Sequence, residues 1–301
     1  MSLVNEKELL INAQKKQKAV GAFNFTTLEQ LKIILNTADE LNVPVIIQAS
    51  ESAINFIGLE TLVAMVNAEV EKVKIPVCLN LDHGKTFELC KRCIDAGFTN
   101  VMIDASDKSF EENVDLTRQV CEYAKKHNVS VEAELGALKG IEDDIDIKES
   151  HFTNPLDAKR FVEQTQVDSL AISIGTSHGA YKFNGESFLD IERLRQIKNN
   201  VAVPLVLHGA SMIDKTLIEN FKQSGGEIGS AMGLSEQNLK QAIKNGICKV
   251  NMDTDFRIAF TTGIRNALKN AKVFNLRDYL TYGMENMKKE VIKRLKILND
   301  L

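Results

Sequence analysis

The sequence of 301 residues predicts an α/β protein of the (β/α)8, or TIM-barrel, class, folded as a single domain over residues 1–301 with extra terminal helices. Two observations predict this class. Short apolar, β-branched runs alternate with longer stretches of helical period, and eight such runs occur. No composition break or long linker divides the chain, and its length is that of one barrel.

The eight runs are the predicted strands. Strand–helix alternation implies right-handed crossovers and a parallel sheet. Helical stretches separate the strands, and Thr26 and Asn154 are candidate helix caps. The predicted strands cover residues 20–25, 44–50, 76–83, 101–106, 129–135, 170–174, 204–208 and 249–253, and the clearest helices cover 27–41, 58–72, 111–127, 155–166 and 190–198.

An open, doubly wound sheet is the competing architecture. Eight units without a break favour the closed barrel, and no Gly-x-Gly-x-x-Gly follows the first run, as a dinucleotide-binding sheet would require. Residues 137–154 and 224–234 are predicted to be long loops, the first strongly acidic and the second glycine-rich. Long loops in a barrel are usually lids or binding loops.

Charge and composition narrow the function classes. With 41 acidic and 37 basic residues the net charge is −4, which gives no reason to expect nucleic acid or an anionic membrane as a partner. No apolar run approaches the length of a membrane span, so we expect a cytoplasmic protein with no membrane partner. Cys90 and Cys93 form a CxxC, but it lies within an amphipathic helical pattern, so we interpret both as reduced packing residues.

Three histidines indicate a metal site. His83, His178 and His208 each close an apolar run and precede a glycine, and the carboxyl ends of barrel strands converge on one mouth. Three imidazoles with one open position form the ligand set of a catalytic zinc ion. The alternative is that each histidine is a hydrogen-bonded structural residue. The glycines are expected to let the backbone approach a ligand.

Carboxylates occur at the same level of the predicted barrel. Asp82 precedes a proposed ligand and is a candidate general acid or base. Asp104 and Glu134 end the fourth and fifth strands, where they could support the metal or bind it. For Asp104, capping of the following helix is the alternative. Glu142 belongs to an acidic run on the loop after the fifth strand, which is either solvated or carries a proton-transferring group.

The last strands have features of a phosphate site. Small residues, hydroxyls and backbone N–H groups follow the seventh and eighth strands, where barrels commonly hold phosphate. Arg257, one turn into the helix after the eighth strand, could form a bidentate contact with a second phosphate. The other candidates are Gly179, Lys182, Gly209, Ser211, Asn251, Asp253 and Thr254.

These stretches together resemble the class II, zinc-dependent fructose-bisphosphate aldolases, in the class IIB branch that also includes tagatose-bisphosphate aldolases. The matching stretches cover nearly the whole chain in order. They are Val-Gly-Ala-Phe-Asn-Phe (20–25), Gln-Ala-Ser-Glu (48–51), Leu-Asp-His-Gly (81–84), Val-Met-Ile-Asp-Ala-Ser (101–106), Val-Glu-Ala-Glu-Leu-Gly (131–136), Gly-Thr-Ser-His-Gly-Ala-Tyr-Lys (175–182), Leu-Val-Leu-His-Gly-Ala-Ser (205–211) and Lys-Val-Asn-Met-Asp-Thr-Asp (249–255).

The resemblance implies reversible cleavage of fructose 1,6-bisphosphate to dihydroxyacetone phosphate and glyceraldehyde 3-phosphate, a reaction of glycolysis and gluconeogenesis. It implies that the three histidines bind Zn²⁺, that Asp82 handles the proton of the C4 hydroxyl, that Glu134 contacts a displaced metal, and that Glu142 moves the proton at the carbon to be bonded. The implied substrate residues are Asn24, Ser50, Gly179, Lys182, Gly209, Ser211, Asn251, Asp253, Thr254 and Arg257.

The resemblance also implies partners and a second cofactor. Members of this family often bind a monovalent cation, Na⁺ or K⁺, near the phosphate. Arg277 resembles an arginine that reaches into the neighbouring subunit's site, so we expect a homodimer or a higher homo-oligomer. Residues 251–255 and the insertion at 224–234 favour fructose over tagatose bisphosphate.

Three alternatives remain open at this stage. The chain could be a tagatose-bisphosphate aldolase, or a non-catalytic barrel subunit of a partner enzyme. It could also be a Schiff-base aldolase, which needs an inward lysine of depressed pKa. Lys249 is the one candidate, and the alternation of its neighbours does not settle its direction. Ala210 stands where many family members have glycine, and it is acceptable if its backbone dihedrals are ordinary.

Overall fold

A computed structural model describes residues 3–136, 139–142, 145–147, 151–178, 188–229 and 233–301; for 139–142, 145–147 and 177–178 it describes the backbone alone. The strands are β1 (Val20–Asn24), β2 (Val45–Ser50), β3 (Val77–Gly84), β4 (Asn100–Ile103), β5 (Ser130–Leu135), β6 (Lys139–Glu142), β7 (Ile145–Ile147), β8 (Ser169–Ile172), β9 (Ser177–His178), β10 (Leu205–Leu207) and β11 (Ile247–Met252). The helices are α1 (Glu6–Lys15), α2 (Leu28–Glu40), α3 (Glu51–Ile57), α4 (Leu59–Val70), α5 (Phe87–Ala96), α6 (Phe110–Lys126), α7 (Pro155–Thr165), α8 (Ile191–Asn200), α9 (Lys215–Gln223), α10 (Glu236–Lys244), α11 (Thr254–Leu268) and α12 (Leu276–Asn299).

Eight of these strands close into a barrel in the order β1-β11-β10-β8-β5-β4-β3-β2, and every neighbouring pair is parallel. The predicted (β/α)8 class is therefore confirmed. Each barrel strand overlaps its predicted run and differs from it by a few residues at the ends. The open-sheet alternative is wrong, because β1 pairs with both β2 and β11.

Local sequence chemistry fixes where the helices begin. Asn154 caps α7, accepting from the backbone of Leu156 and Asp157, with Pro155 in the first turn, as predicted. The cap of α2 is Thr27, one residue after the predicted Thr26. Ser109 and Glu112 form a reciprocal capping box at the start of α6. Among the described residues no single helix is long and apolar enough to cross a membrane, although α3 and α4, bent by 90° at their junction, reach that length and composition together.

The barrel interior has an apolar floor beneath a polar mouth. Inward side chains from the strands, including Ala22, Ile46 and Val206, form one cluster with Leu9 and Leu10 of α1. The helix α1 thus closes the end of the barrel where the strands begin. A larger apolar layer lies between the strands and the outer helices. It contains Cys90 and Cys93, and burial raises the pKa of the Cys93 thiol to about 12, which supports a packing role.

The predicted acidic loop at 137–154 is in part a small sheet. Strands β6 and β7 pair antiparallel, and β6 also pairs in parallel with β9. The alternation of Ile145 and Ile147 with Asp146 has the period of a strand, but the density of acidic residues masked that signal. In the second predicted loop, residues 224–229 and 233–234 contain no helix or strand, and residues 230–232 lie outside the described part of the chain.

Candidate active site

Polar side chains form a one-way chain of hydrogen bonds around the inside of the barrel. The first four members each donate to an acceptor on the neighbouring strand, and the last, Asn24 on β1, donates to Oδ2 of Asp82 on β3 over 2.7 Å. The chain lies above the apolar floor and was not predicted from the sequence. Its earlier links are Ser130 to Asn100 (2.6 Å), Asn100 to Asn80 (2.8 Å), Asn80 to Gln48 (3.2 Å) and Gln48 to Asn24 (2.7 Å).

Asp82 is 3% exposed and is held as an acceptor from two sides. While Asn24 donates to one carboxylate oxygen, Asn251 donates to the other over 3.2 Å. Two amide donors fix the plane of the carboxylate and so orient the group. This arrangement suits the predicted role of a general acid or base.

The end of β3 is irregular, and this irregularity brings His83 into the mouth. Pairing with β4 shifts register between Leu81 and Gly84, and His83 has φ 48°, a left-handed conformation that is uncommon outside glycine. Successive residues Asp82 and His83 therefore both contribute to the site. A Cβ on Gly84 would lie 2.7 Å from the carbonyl oxygen of Met102. That glycine is required for packing against β4, and its predicted role in ligand access stays a prediction.

One ring nitrogen of His83 faces one ring nitrogen of His208, and the other nitrogen of each ring contacts a carboxylate. Nε2 of His83 lies 2.9 Å from Nδ1 of His208, and the rings are nearly perpendicular, at 75°. On the far sides, Nδ1 of His83 lies 2.8 Å from Asp104, and Nε2 of His208 lies 2.7 Å from Glu132. A carboxylate on one nitrogen presents the other as a lone-pair donor, which is the usual arrangement of metal-binding histidines.

The carboxylates Asp104 and Glu134 extend this cluster. Ligand atoms of Asp82, His83 and His208 lie within 4.8 Å of one another, and so do those of His83, Asp104 and Glu134. Two imidazoles with nearby carboxylates form a donor set that fits a Zn²⁺ ion. The fit rests on the chemistry of these donors.

Asp104 has a different role from the helix cap considered as an alternative. Its Oδ2 contacts His83 and, at 2.6 Å, Lys85, while Oδ1 accepts from the backbone of Ser106, and α6 is capped by Ser109 instead. Burial opposes ionisation of Asp104, but its bonds to His83 and Lys85 outweigh burial and hold its pKa well below the ordinary value. It remains an anion beside the imidazole.

The candidate phosphate residues after β10 and β11 are close together. Oγ of Ser211 accepts from the backbone N–H groups of Asp253 (3.1 Å) and Thr254 (3.2 Å). Gly209 has φ 63°, whereas Ala210 is outside the positive-φ region, so its methyl group is accommodated as expected. Arg257 forms an ion pair with Asp253 over 2.7 Å and is more than half exposed.

A buried ion pair stabilises the loop after β10 and the beginning of α11. The sequence analysis did not predict it. Asp255 accepts from the backbone of Met212 and from Nε of Arg294, and Arg294 also donates to the carbonyl oxygen of Met212. The helix α12 therefore supports the loop after β10 from behind.

Four predicted site residues lie wholly or partly outside the described part of the chain. Gly179 and Lys182 lie outside the described residues, as do the side chains of Glu142 and His178. The backbone of His178 is described, and it corrects one prediction: the sixth barrel strand ends at Ile172, and His178 lies in the separate strand β9, paired with β6. Ser50 is buried at the end of β2, with its Oγ 3.0 Å from that of Ser52. Arg277 is exposed on the first turn of α12.

Comparison with known proteins decides the family. A sequence profile of the family described as fructose-bisphosphate aldolase class-II matches residues 4–300. The chain belongs to the class II fructose-bisphosphate aldolases. It is 47% identical to a fructose-bisphosphate aldolase of Helicobacter pylori (strain J99) over 98% of each chain. It is 44% identical to that of Thermus caldophilus over 99% of each chain.

Solved structures agree with this placement. The YdjI aldolase from Escherichia coli K12 superposes with a TM-score of 0.81 at 27% identity, covering 99% of this chain and 97% of that one. The fructose-bisphosphate aldolase from Campylobacter jejuni, at 24% identity and a TM-score of 0.75, supports the shared fold; the match covers 99% of this chain and 96% of that one. Sequence reasoning missed Glu132 and, apart from Asn24, the members of the amide chain, all of which extend the candidate site of this class II aldolase. The available signal was polar residues at inward positions of strands otherwise rich in Val, Ile and Leu.

Proposed function

We propose that the chain catalyses the zinc-dependent, reversible cleavage of fructose 1,6-bisphosphate to dihydroxyacetone phosphate and glyceraldehyde 3-phosphate, as a step of glycolysis and gluconeogenesis. One observation carries the proposal. Two imidazoles present facing nitrogens 2.9 Å apart, next to a carboxylate held by two amides, at the mouth of a barrel. The profile match over residues 4–300 adds the reaction class to this geometry.

The metal would be held by His83, His178 and His208, through Nε2 of His83 and Nδ1 of His208. When bound, zinc supplies Lewis-acid stabilisation of the negative charge that develops on the ketone half of the substrate when its C3–C4 bond breaks. Asp104 and Glu134 would support the ligands or contact a displaced metal. These assignments are proposals, with His178 resting on sequence resemblance.

Asp82 is the proposed general base for cleavage. It would take the proton of the C4 hydroxyl, so that the C3–C4 electrons pass to the ketone half while C4 becomes the aldehyde carbon. In the reverse direction the same carboxyl returns that proton. Glu142 would move the proton at C3, from its position beyond β5. Asn24 and Asn251 would keep Asp82 aimed at the hydroxyl.

The proposed substrate residues surround this centre. The two phosphates would be bound by backbone N–H groups and hydroxyls after β10 and β11, and by the two basic side chains Lys182 and Arg257. Arg257 would leave Asp253 in order to do so. The full proposed set is Asn24, Ser50, Gly179, Lys182, Gly209, Ser211, Asn251, Asp253, Thr254, Arg257 and, from a neighbouring subunit, Arg277.

Fructose bisphosphate is preferred to its C4 epimer, tagatose bisphosphate, on sequence grounds. Residues 251–255 and the insertion at 224–234 favour fructose, and the curated relatives at 39–47% identity are named fructose-bisphosphate aldolases. We further propose a cytoplasmic homodimer or larger homo-oligomer, with a monovalent cation, Na⁺ or K⁺, near the phosphate.

The environment of Lys249 argues against the Schiff-base alternative. Its ammonium group is fully buried between Glu132 and Glu6. Burial alone would lower the pKa of Lys249, but these two carboxylates outweigh it and raise the pKa. A Schiff-base nucleophile needs the opposite shift.

The test is cleavage of fructose 1,6-bisphosphate by the purified chain before chelation, after chelation and after adding Zn²⁺ back. We expect activity that disappears with the metal and returns with it, together with slower turnover of tagatose 1,6-bisphosphate. Activity that persists in the chelated protein and is trapped by borohydride would reject the metal mechanism. A zinc-loaded chain inactive on both epimers would favour the non-catalytic subunit.

A further inference from the structure

A buried chain of charged groups runs from the barrel floor to the candidate metal site. Lys249 on β11 is fully buried, and its Nζ lies 2.5 Å from Glu132 on β5 and 3.1 Å from Glu6 on α1. Glu132 uses its second oxygen to contact Nε2 of His208 at 2.7 Å. Four groups, from α1, β11, β5 and the residue that follows β10, are thus connected in series.

The direction of Lys249 results from an irregularity in β11. The pairing with β10 runs from Leu205 with Ile247 to Val206 with Lys249, so Cys248 is an extra residue. Paired residues of neighbouring strands face the same side, and Val206 belongs to the interior cluster. The irregularity therefore points the lysine into the barrel. An inward cation in this position needs an explanation beyond packing, because burying it is costly unless it is paired.

Glu132 divides its two carboxylate oxygens between the lysine and the histidine. Oε2 lies 2.5 Å from Nζ of Lys249, and Oε1 lies 2.7 Å from Nε2 of His208. Because the lysine anchors one oxygen, the plane of the carboxylate is fixed and the other oxygen is held against Nε2. Nδ1 is then the nitrogen of His208 that faces His83.

We infer that Lys249 is a positioning residue for the metal site, acting through Glu132 to fix the orientation and tautomer of His208. This inference rests on the zinc site proposed above. Glu6 holds the lysine from below, and Ser169 donates to the other oxygen of Glu6 over 3.3 Å. The N-terminal helix α1 is in this way connected to the reaction centre at the opposite end of the barrel.

The competing explanation is an ion pair that only stabilises the barrel. The two explanations predict different zinc affinities for the double variant. If Lys249 acts on the site only through Glu132, its loss adds nothing once Glu132 has been changed. If its loss loosens the whole barrel, the decrease in zinc affinity adds to the decrease that the change of Glu132 causes. A double-mutant cycle separates them. Its readout is the dissociation constant for Zn²⁺, measured by competition with a chromophoric chelator at pH 8.

The cycle comprises the wild-type chain, Lys249→Met, Glu132→Gln and the double variant. We expect each single change to weaken zinc binding by about 10- to 100-fold, as loss of a group supporting a metal ligand usually does. We expect the double variant to lie within about threefold of Glu132→Gln. Zinc affinity of Lys249→Met within about threefold of wild type would overturn the inference, and so would losses that multiply in the double variant.

Three controls keep the outcomes distinct. Lys244→Met removes an exposed lysine from the last turn of α10 and should leave zinc affinity unchanged. Circular dichroism of the zinc-free chains reports folding. Should Lys249→Met fail to fold, the cycle is run in the Glu6→Gln background, where loss of Lys249 leaves no second acid unpaired and the same outcomes apply. If the wild-type chain binds no zinc, or binds it equally well after His208→Ala, the proposed site is wrong and not only this inference.

Discussion

The mouth and the floor of the barrel both bury ionisable groups, but these groups have different kinds of partner in the two places. On the floor, Lys249 is enclosed by two carboxylates within one apolar layer, so the charges are paired with one another. At the mouth, the imidazoles of His83 and His208 turn nitrogens toward each other, an arrangement that suits a group the chain does not itself contain. We infer that the floor serves stability and orientation and that the mouth serves binding.

Backbone geometry shows the same contrast. The floor is made of the beginnings of the strands and the apolar face of α1, and the register shift at Cys248 turns a side chain inward. The mouth contains a histidine with φ 48° and a glycine with φ 63°. Left-handed backbone is destabilising for a histidine, so its presence next to Asp82 indicates a functional constraint. The comparison predicts that changes at the mouth reduce activity more than stability, and that changes to the apolar side chains of the floor do the reverse.

The largest effect is expected at the mouth. Asp82→Asn retains the shape of the side chain but removes the group that accepts the C4 hydroxyl proton. We expect kcat to fall about 10²- to 10⁴-fold while thermal stability changes little. Steady-state cleavage of fructose 1,6-bisphosphate measures the first effect and thermal unfolding the second. The matched control is Asp115→Asn, an exposed position on α6. Near-normal turnover of Asp82→Asn would remove this residue from the mechanism.

The floor should respond in the opposite way. Leu10 is fully buried on α1, so Leu10→Ala should lower the free energy of unfolding by about 2–5 kcal/mol through lost burial and the cavity left behind. Below the unfolding transition, kcat should stay within about threefold of wild type. Urea denaturation and kinetics on the same samples test both parts. The control is Leu156→Ala on α7, where the side chain is 66% exposed. A collapse of kcat in fully folded Leu10→Ala would contradict the division between floor and mouth.

The smallest expected effect depends on pH and concerns Glu6. Burial raises the pKa of Glu6 from 4.5 to about 7, although the charge of Lys249 opposes this shift. A raised pKa means that the folded chain binds the proton more tightly than the unfolded chain. The contribution of Glu6 to stability is therefore largest below pH 4.5 and is lost as the pH rises to 7.

Glu6→Gln abolishes this titration. Relative to wild type, we expect the variant to gain about 1–3 kcal/mol in free energy of unfolding between pH 5 and pH 8. Urea denaturation at the two pH values measures the gain, and Glu8→Gln, an exposed change on the same helix, corrects for loss of a surface carboxylate. If the variant and the wild type differ in free energy of unfolding by the same amount at both pH values, or if the variant's advantage is larger at pH 5, the pKa of Glu6 is not raised in the folded chain.

Sequence reasoning anticipated which residues gather in the candidate metal cluster, because the chemistry of this cluster repeats at equivalent places. His83 and His208 each close a strand, and Asp82, Asp104 and Glu134 lie at or near strand ends, so a barrel topology was enough to bring them together. Sequence reasoning missed contacts between residues that are far apart in the sequence. Glu132 and His208 are 76 positions apart, and no local pattern links them. Arg294 of α12, which holds Asp255 and the loop after β10, was missed for the same reason.

The sequence by itself determined the barrel, the order of its strands and the type of residue at each strand end, because the alternation of β-branched runs and amphipathic helices is a local property of the chain. Only the tertiary structure decided the direction of Lys249 and the approach of His83 to His208. Strands buried on both faces carry no alternation from which direction can be read, and an extra residue such as Cys248 changes which face the following residues occupy. These two features depend on register between strands, which forms only when the barrel closes.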